Sequence, residues 1–590
     1  MTVRSARRRS GPLAMLCVVA AMVLAGCASI PGETQPQHAD LQGGNGTASA
    51  EVPQPPKNED PPNIVRDFVN NSGDPTNLHA SARAYLVDAA KSTWNMASTA
   101  QSVAIIDDLF DTIEESTQST DSNLETVVLR ARLTGTLGPD GAFQPPTAKQ
   151  SQDYEIPVQV RRQKDGQWRI VDPPDTLLII NSDFGKYYRP VSVYFFDQSW
   201  DVLVPDPRYV VSEPVNGLAG RIIGLLLGGP SQSLKGAVQN AIPGDATLKT
   251  NVLTSSNGEI VVNLKSMPDQ TSNMKQLMVA QIVRTLENYG SSVSVQSEGV
   301  ALVPGHVTWR LSDLPSYAPF VGPTATGLVV AHDKVLNLTS GDPIHGPAGN
   351  GDYQVVTAAE SMDGQELATV TQETTTNEVL RVGGIKVAAQ SVKDLNAAHF
   401  TRPTWAPSDA AGDPSRAVWT VAGGVVVRVA STPGGSWAAS PVDATALAPY
   451  GSITDLRLSR DGVRVAVVAG GHLLVGAIVS DQGSVAIKQV RMLQPTVDQA
   501  VRVDWLRQDL LVVSTNQPGS PVRSVSVDGE TMDGYSSANL TTAVTEVAAS
   551  ESGPVLAANA AGIWSSTDIN EVWQPIPHNQ PAGAIPFYPG

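Results

Sequence analysis

The sequence predicts a multidomain chain of α+β and all-β architecture that ends in a β-propeller. Three observations predict it. The chain has 590 residues, enough for roughly three or four domains. Its apolar period changes along the chain, from helical spacing near the start to strand alternation, with both periods returning in the middle. From Leu328 onward a turn followed by a strand-like run recurs about every 40 to 55 residues, the size of one four-stranded propeller blade.

The N-terminus is built as an export signal. Arg4, Arg7, Arg8 and Arg9 precede an apolar run from Leu13 to Leu24, and Leu24-Ala25-Gly26-Cys27 follows. The arginines stay on the cytoplasmic side, and the run is shorter than the roughly 20 residues a membrane span needs. An ordinary secretory signal or a short anchor helix shares parts of this pattern. The four parts in this order resemble a bacterial lipoprotein signal peptide. The resemblance implies removal of residues 1–26, cleavage between Gly26 and Cys27, and an S-diacylglycerol, N-acylated Cys27 that anchors the chain on the extracytoplasmic face of the cell membrane. The chain has two cysteines, Cys17 and Cys27. Cys17 leaves with the signal, so no internal disulfide forms, and apolar cores must hold the mature chain.

Residues 27–63 read as the lipidated cysteine and a flexible tether. They are rich in Gly, Pro, Gln and Asn and densest in proline from Val52 to Pro62. So few large apolar side chains cannot build a core, and the extended stretch reaches on the order of 100 Å. Either a spacer across the cell wall or a plain flexible leader fits.

Residues 64–183 start helical. Ile64, Val65, Phe68 and Val69 share one face, and Ala82, Tyr85, Leu86 and Ala89 mark a second helical stretch before Trp94. Thr126 to Leu133 then alternates as a strand, as do Tyr154, Ile156, Val158 and Val160. Asp165-Gly166 turns the chain into Trp168 and Ile170. Helices followed by a curved antiparallel sheet resemble the cone of nuclear-transport-factor-2-like domains, which more often bind or pack than catalyse.

Residues 190–304 mix the two periods. Val191 to Phe196 is a strand, and Leu218 to Leu227 is an apolar helix stopped by Gly228-Gly229-Pro230. Glu259 to Leu264 is a strand, Met274 to Tyr289 a helix, and Val293 to Val295 a closing strand. The Val191 strand, Leu225 to Pro230, Ile242-Pro243, the Glu259 strand and Gln281 to Leu286 resemble the GerMN domain of germination and cell-envelope proteins. That implies a non-catalytic envelope module. Gln296-Ser297-Glu298-Gly299 departs from the Asp-Gly with which many GerMN domains end the last strand.

Residues 328–585 carry the repeat. Ser361-Met362-Asp363-Gly364, Trp405-Ala406-Pro407-Ser408, Ser459-Arg460-Asp461-Gly462, Trp505 and Ser550-Glu551-Ser552-Gly553 each precede a strand-like run. Six blades or fewer fit the length. A β-sandwich does not space its turns this way.

Composition excludes some functions. The net charge is −17, and −21 once the four signal arginines leave, so nucleic acid is repelled. Charged residues make up 16%, below the usual quarter or so. No His-Glu-x-x-His or Gly-x-Ser-x-Gly is present, and no two of the eight histidines have metal-ligand spacing, so no catalytic residue, metal ligand or cofactor is assigned. Ser272-Asn273-Met274-Lys275 fits the Ser-x-x-Lys nucleophile pattern of penicillin-binding proteins. It lacks the Lys-Thr-Gly and Ser-Asp-Asn partners, and a helix N-cap at Ser272 explains it. The acidic run Asp107, Asp108, Asp111, Glu114 and Glu115 suits a solvated helix face better than a calcium loop. Asp363-Gly364, Asp461-Gly462 and Asp528-Gly529 read as hairpin turns rather than ligand loops.

A lipobox, a proline-rich tether, the two α+β modules and a propeller, in this order, resemble the LpqB lipoproteins of actinobacteria. The resemblance implies a non-enzymatic accessory to the MtrA–MtrB two-component system. It implies the extracytoplasmic domain of the sensor histidine kinase MtrB as the partner and cell-wall homeostasis and division as the outputs, and the GerMN or propeller surface is the expected contact. The alternative is a glycan-binding or scaffolding lipoprotein with cell-wall contact. Trp405, Trp419, Trp437, Trp505, Trp564 and Trp573 are its candidate stacking residues, though most lie in strand patterns that bury them.

Overall fold

A computed structural model describes residues 52, 54–94, 102–114, 121–147, 154–265, 267–318, 327–407, 416–481, 483–493, 499–540, 543–578 and 580–590. The expected signal peptide, Gly26, Cys27 and most of the expected tether lie outside the described residues.

Folded structure begins before the predicted end of the tether. Pro55 is buried, and the backbone N–H of Asn58 donates to the side-chain oxygen of Gln167 at 2.7 Å. Asp60 caps the helix Pro61–Ser72, its carboxylate accepting from the N–H of Asn63 at 3.2 Å. Proline suits this position because the first turn has no use for its missing N–H. The expected boundary at 63 is thus corrected: the prolines there serve as helix starters and packing groups. Ile64, Val65, Phe68, Val69 and Ser72 form the buried face.

The second helical stretch is split into Ala80–Arg83 and Asp88–Thr93. Between them the backbone is drawn into a sheet: the N–H of Val87 donates to Ile170 O, and that of Ile170 to Tyr85 O, both at 2.9 Å. Tertiary pairing overrides the local helical period here. Two four-stranded sheets complete the module. One joins Asp111–Glu114, Leu124–Ala131, Tyr154–Arg162 and Trp168–Asp172; the other joins Phe143–Gln144, Leu133–Leu137, Val103–Ile106 and Leu177–Ile180. A single apolar core fills the space between helix and sheets, with Trp94 packed on Phe68 at 5.4 Å between ring centroids.

The middle module is GerMN-like. A long hairpin pairs Tyr188–Phe196 with Leu203–Val211. The Asp197 carboxylate closes its turn by accepting from the N–H groups of Asp201 and Val202, each at 2.8 Å. Glu259–Lys265 and Ser292–Ser297 run parallel, joined by the helix Ser272–Leu286, as parallel strands require a crossover. The last of these strands does not close the sheet. Glu298 and Gly299 take the left-handed turn (φ 52° and 87°), and Val300–Ala301 and Thr308–Trp309 then pair on its outer side. Helix Ser272–Leu286 is capped by Thr271, whose hydroxyl accepts from the N–H of Met274 at 3.2 Å. Ser272 is therefore the first helical residue and not the N-cap, a correction of one position.

The C-terminal part is a β-propeller of six sheets among the described residues. Five have four strands each, and the sixth joins Lys334–Asn337 and Leu328–Ala331 to Ile585–Phe587. Pairing early with late strands closes the ring and removes the open edge. The Asp-Gly pairs are hairpin turns, as expected. Ser361 and Ser526 each donate a hydroxyl to the Asp two residues on at 2.6 Å, Ser459 does the same to Asp461, and Gly462 holds a φ of 73°.

Candidate functional site: the junction and the propeller axis

The hairpin strand Leu203–Val211 binds the three modules together. Its pattern is unusual: apolar residues interrupted by Pro205, Asp206, Pro207 and Arg208. Arg208 is completely buried. Its guanidinium donates to Asp206 at 2.7 Å within the GerMN-like module, to Gly229 O at 3.1 Å, and to Asp140 O of the N-terminal module at 2.6 Å. Asp206 also accepts the backbone N–H and the hydroxyl of Ser231, each at 2.8 Å. A buried carboxylate held by three donors fixes the arginine opposite it.

Tyr209 touches all three modules with one residue. Its backbone N–H donates to Gly141 O at 2.8 Å, and its ring packs against Phe143 and Phe184 at centroid distances of 6.1 and 5.3 Å. Its hydroxyl reaches the propeller, where Asp528 and Glu530 stand at 3.1 and 3.2 Å. Burial, then the two carboxylates, push the phenol far above its ordinary pKa, so it remains a donor. The same face carries Arg464, which pairs with Asp461 at 3.4 Å and donates to Pro205 O at 2.5 Å. Val463 and Ala477 of the propeller join the GerMN-like core. Replacing Tyr209 with phenylalanine keeps the ring contacts but removes the donor that Asp528 and Glu530 share, leaving Asp528 to Ser526 and Glu530 to Thr531. A loss of about 1–3 kcal/mol at the junction is expected. Amide exchange of the Leu203–Val211 strand and the Asp528 turn checks it: both should exchange faster together, and unchanged protection at both would refute the role.

The propeller axis is crossed by arginines. Arg402 enters from the third sheet and donates to Asp455 at 3.4 Å, Val503 O at 3.0 Å and Val547 O at 2.9 Å, so it reaches three further sheets. Arg457 meets Asp504 at 3.1 Å, and Arg502 meets Glu546 at 3.0 Å. Each arginine thus pairs with the carboxylate of the next sheet. Burial alone would raise Asp504, but Arg457, Arg402 and Arg460 hold its carboxyl below the ordinary value. Burial lowers Arg457. These charges knit the inner strands where a channel would otherwise run.

The residues singled out from sequence fare differently. Ser272 is exposed at its helix start and serves as an ordinary first-turn residue. The acidic run is no helix face: Asp107 and Asp108 lie in a turn, and Asp111 and Glu114 on the strand that follows, while Glu115 lies outside the described residues. Among the described residues no three His, Cys, Asp or Glu side chains could hold a metal ion. Trp405, Trp419, Trp437, Trp505 and Trp573 are buried. The indoles of Trp405 and Trp505 donate to Ala359 O and Arg457 O of the preceding sheet, at 2.9 and 3.0 Å. Trp564 is half-buried and donates to Asn559. Sequence reading missed Arg208, Tyr209 and the arginines of the axis. The available signal was an Asp and an Arg two residues apart in an apolar strand, hidden by the flanking prolines.

Among the described residues no helix is long and apolar enough to cross a membrane. Three family models match: the lipoprotein LpqB N-terminal domain over residues 54–185, a sporulation and spore germination domain over 192–303, and the lipoprotein LpqB beta-propeller domain over 329–589. The chain is 30% identical to the lipoprotein LpqB of Rhodococcus opacus (strain B4), covering 100% of this chain and 99% of that one. It is 31% identical to that of Rhodococcus jostii (strain RHA1), covering 97% of each. Among solved structures, the tandem GerMN domains of the sporulation protein GerM from Bacillus subtilis are 19% identical over 20% of this chain and 42% of that one, with a TM-score of 0.16.

Proposed function

The chain belongs to the LpqB lipoprotein family, and from that premise we propose that it is a lipid-anchored, extracytoplasmic modulator of the sensor kinase MtrB in the MtrA–MtrB two-component system, with cell-wall homeostasis and division as outputs. The relation to curated LpqB lipoproteins along the whole chain carries the reading. The junction supplies the mechanism. Anchoring at Cys27 confines the protein to the kinase's leaflet and raises their mutual effective concentration. Because Arg208 and Tyr209 lock the modules together, contact at any one module positions all three. A protein held this way favours whichever kinase conformation fits it and shifts the population toward that state.

The test uses the whole lipoprotein, solubilised from membranes, and the purified kinase ectodomain. The ectodomain should co-purify with it, and deleting the lipoprotein should change phosphorylation of MtrA in cells. No co-purification together with unchanged phosphorylation would overturn the reading.

A further inference from the structure

The most exposed large apolar side chain among the described residues is Leu109, at 87%. It sits where the chain passes from strand Val103–Ile106 in one sheet of the N-terminal module to strand Asp111–Glu114 in the other. This turn is pinned on both sides. The N–H of Asp107 donates to Arg132 O at 2.9 Å, that of Leu109 to the Asp107 carboxylate at 3.3 Å, and that of Ser182 to the Asp108 carboxylate at 2.9 Å. Leu109 is therefore held out in one place, and little further ordering is needed when something covers it.

Beside it lies a groove of about 460 Å³ walled by Arg66 of the first helix and by Arg130 and Arg132 at the end of strand Leu124–Ala131, with half-buried Phe110 between. Asp111 stands in register with Arg130, which pairs with Glu155 at 2.7 Å; Asp107 faces Arg132 at 3.9 Å. Arg66 is exposed and has no hydrogen-bond or ionic partner among the described residues. The next cross-strand row on the sheet's outer side is apolar: Ile113, 43% exposed, then Val128, then Pro157. An apolar centre with arginine at its rim is the composition of binding hot spots.

We propose that this groove on the N-terminal module is a docking surface for a segment of a partner protein that presents a large apolar side chain beside a carboxylate, the first covering Leu109 and the second meeting Arg66. A protein fits better than an anionic bilayer, because Asp108 and Asp111 line the groove with the three arginines and keep it from being a basic patch. Resting on the function proposed above, the segment lies on the kinase ectodomain, and the contact surface is the N-terminal module, not the GerMN-like module or the propeller.

The experiment titrates the full-length lipoprotein in detergent with purified kinase ectodomain, using wild type, Leu109→Ser, Arg66→Glu, and Val425→Ser as a control on an exposed propeller residue (53%). Both groove variants should weaken binding at least about tenfold, the control less than about twofold, and the salt dependence of binding should shrink in Arg66→Glu. All these positions are on the surface, so folding is not at stake. Wild-type binding that both groove variants retain overturns the docking surface while leaving the kinase reading in place. No wild-type binding overturns both. Phosphatidylglycerol vesicles form the last arm: binding to them that the groove variants abolish, with ectodomain binding unchanged, assigns the groove to lipid and overturns the proposal.

Discussion

Replacing Arg402 with methionine is expected to lower the melting temperature of the propeller by about 10 °C. Arg402 is 5% exposed and serves Asp455, Val503 and Val547 in three different sheets. Without it the Asp455 carboxylate, which is 0% exposed, keeps one hydrogen bond among the described residues, from the N–H of Val503 at 2.9 Å, and the more distant charges of Arg457 and Arg502. Removing one partner of a buried pair costs about 3–5 kcal/mol, because the charge left behind is uncompensated. For a region of this size each kcal/mol moves the midpoint by roughly 2–4 °C. Near-UV circular dichroism follows the transition through buried Trp405 and Trp505. Two comparisons separate ionic from volume effects. The double variant Arg402→Met with Asp455→Leu should recover much of the loss, since an apolar pair of similar volume replaces a buried ion pair at little cost. Breaking the exposed Arg507–Asp509 pair, 50% and 35% exposed, should cost less than about 1 kcal/mol. A shift under about 2 °C for Arg402→Met would show that the axis tolerates an empty arginine position.

Converting Cys27 to alanine is expected to strip the protein of its lipid and of its effect on the kinase. The argument is additive: each acyl CH₂ buried in the membrane contributes about 0.8 kcal/mol, and one chain anchors only weakly while two or more hold stably. A diacylated, N-acylated cysteine has that number. Mass spectrometry of the mature protein and membrane fractionation read the outcome directly. Wild type should carry the added lipid mass and sediment with membranes; the variant should lack that mass and be mislocalised. Losing the anchor removes the high effective concentration near the kinase, so phosphorylation of MtrA should approach the deletion phenotype. A variant that keeps its membrane position and complements fully would leave the tethered mechanism without support.

Sequence reading succeeded where the signal is local. The apolar face of Pro61–Ser72, the alternation in Tyr154–Arg162 and the turn-and-strand units of the propeller all appear as patterns over a few residues, because helix and strand each impose their own period on burial. It slipped where a neighbour in space competes with the local preference. Tyr85 to Val87 carries a helical period yet pairs with Ile170. The acidic run suggests a helix face, yet Asp107 to Glu114 lie on a turn and a strand that packs beside Leu124–Ala131.

What the sequence by itself determined is the order of two α+β modules and a propeller, behind a start that resembles an export signal ending in a cysteine. The tertiary structure alone decided which polar residues meet. Tyr209 and Asp528 are 319 positions apart, and Arg402 and Val547 are 145 apart. Periodicity reports which side chains face inward, but not which buried donor finds which buried acceptor. That pairing is set when modules dock, because a charge taken out of water is retained only where an opposite charge or a carbonyl meets it.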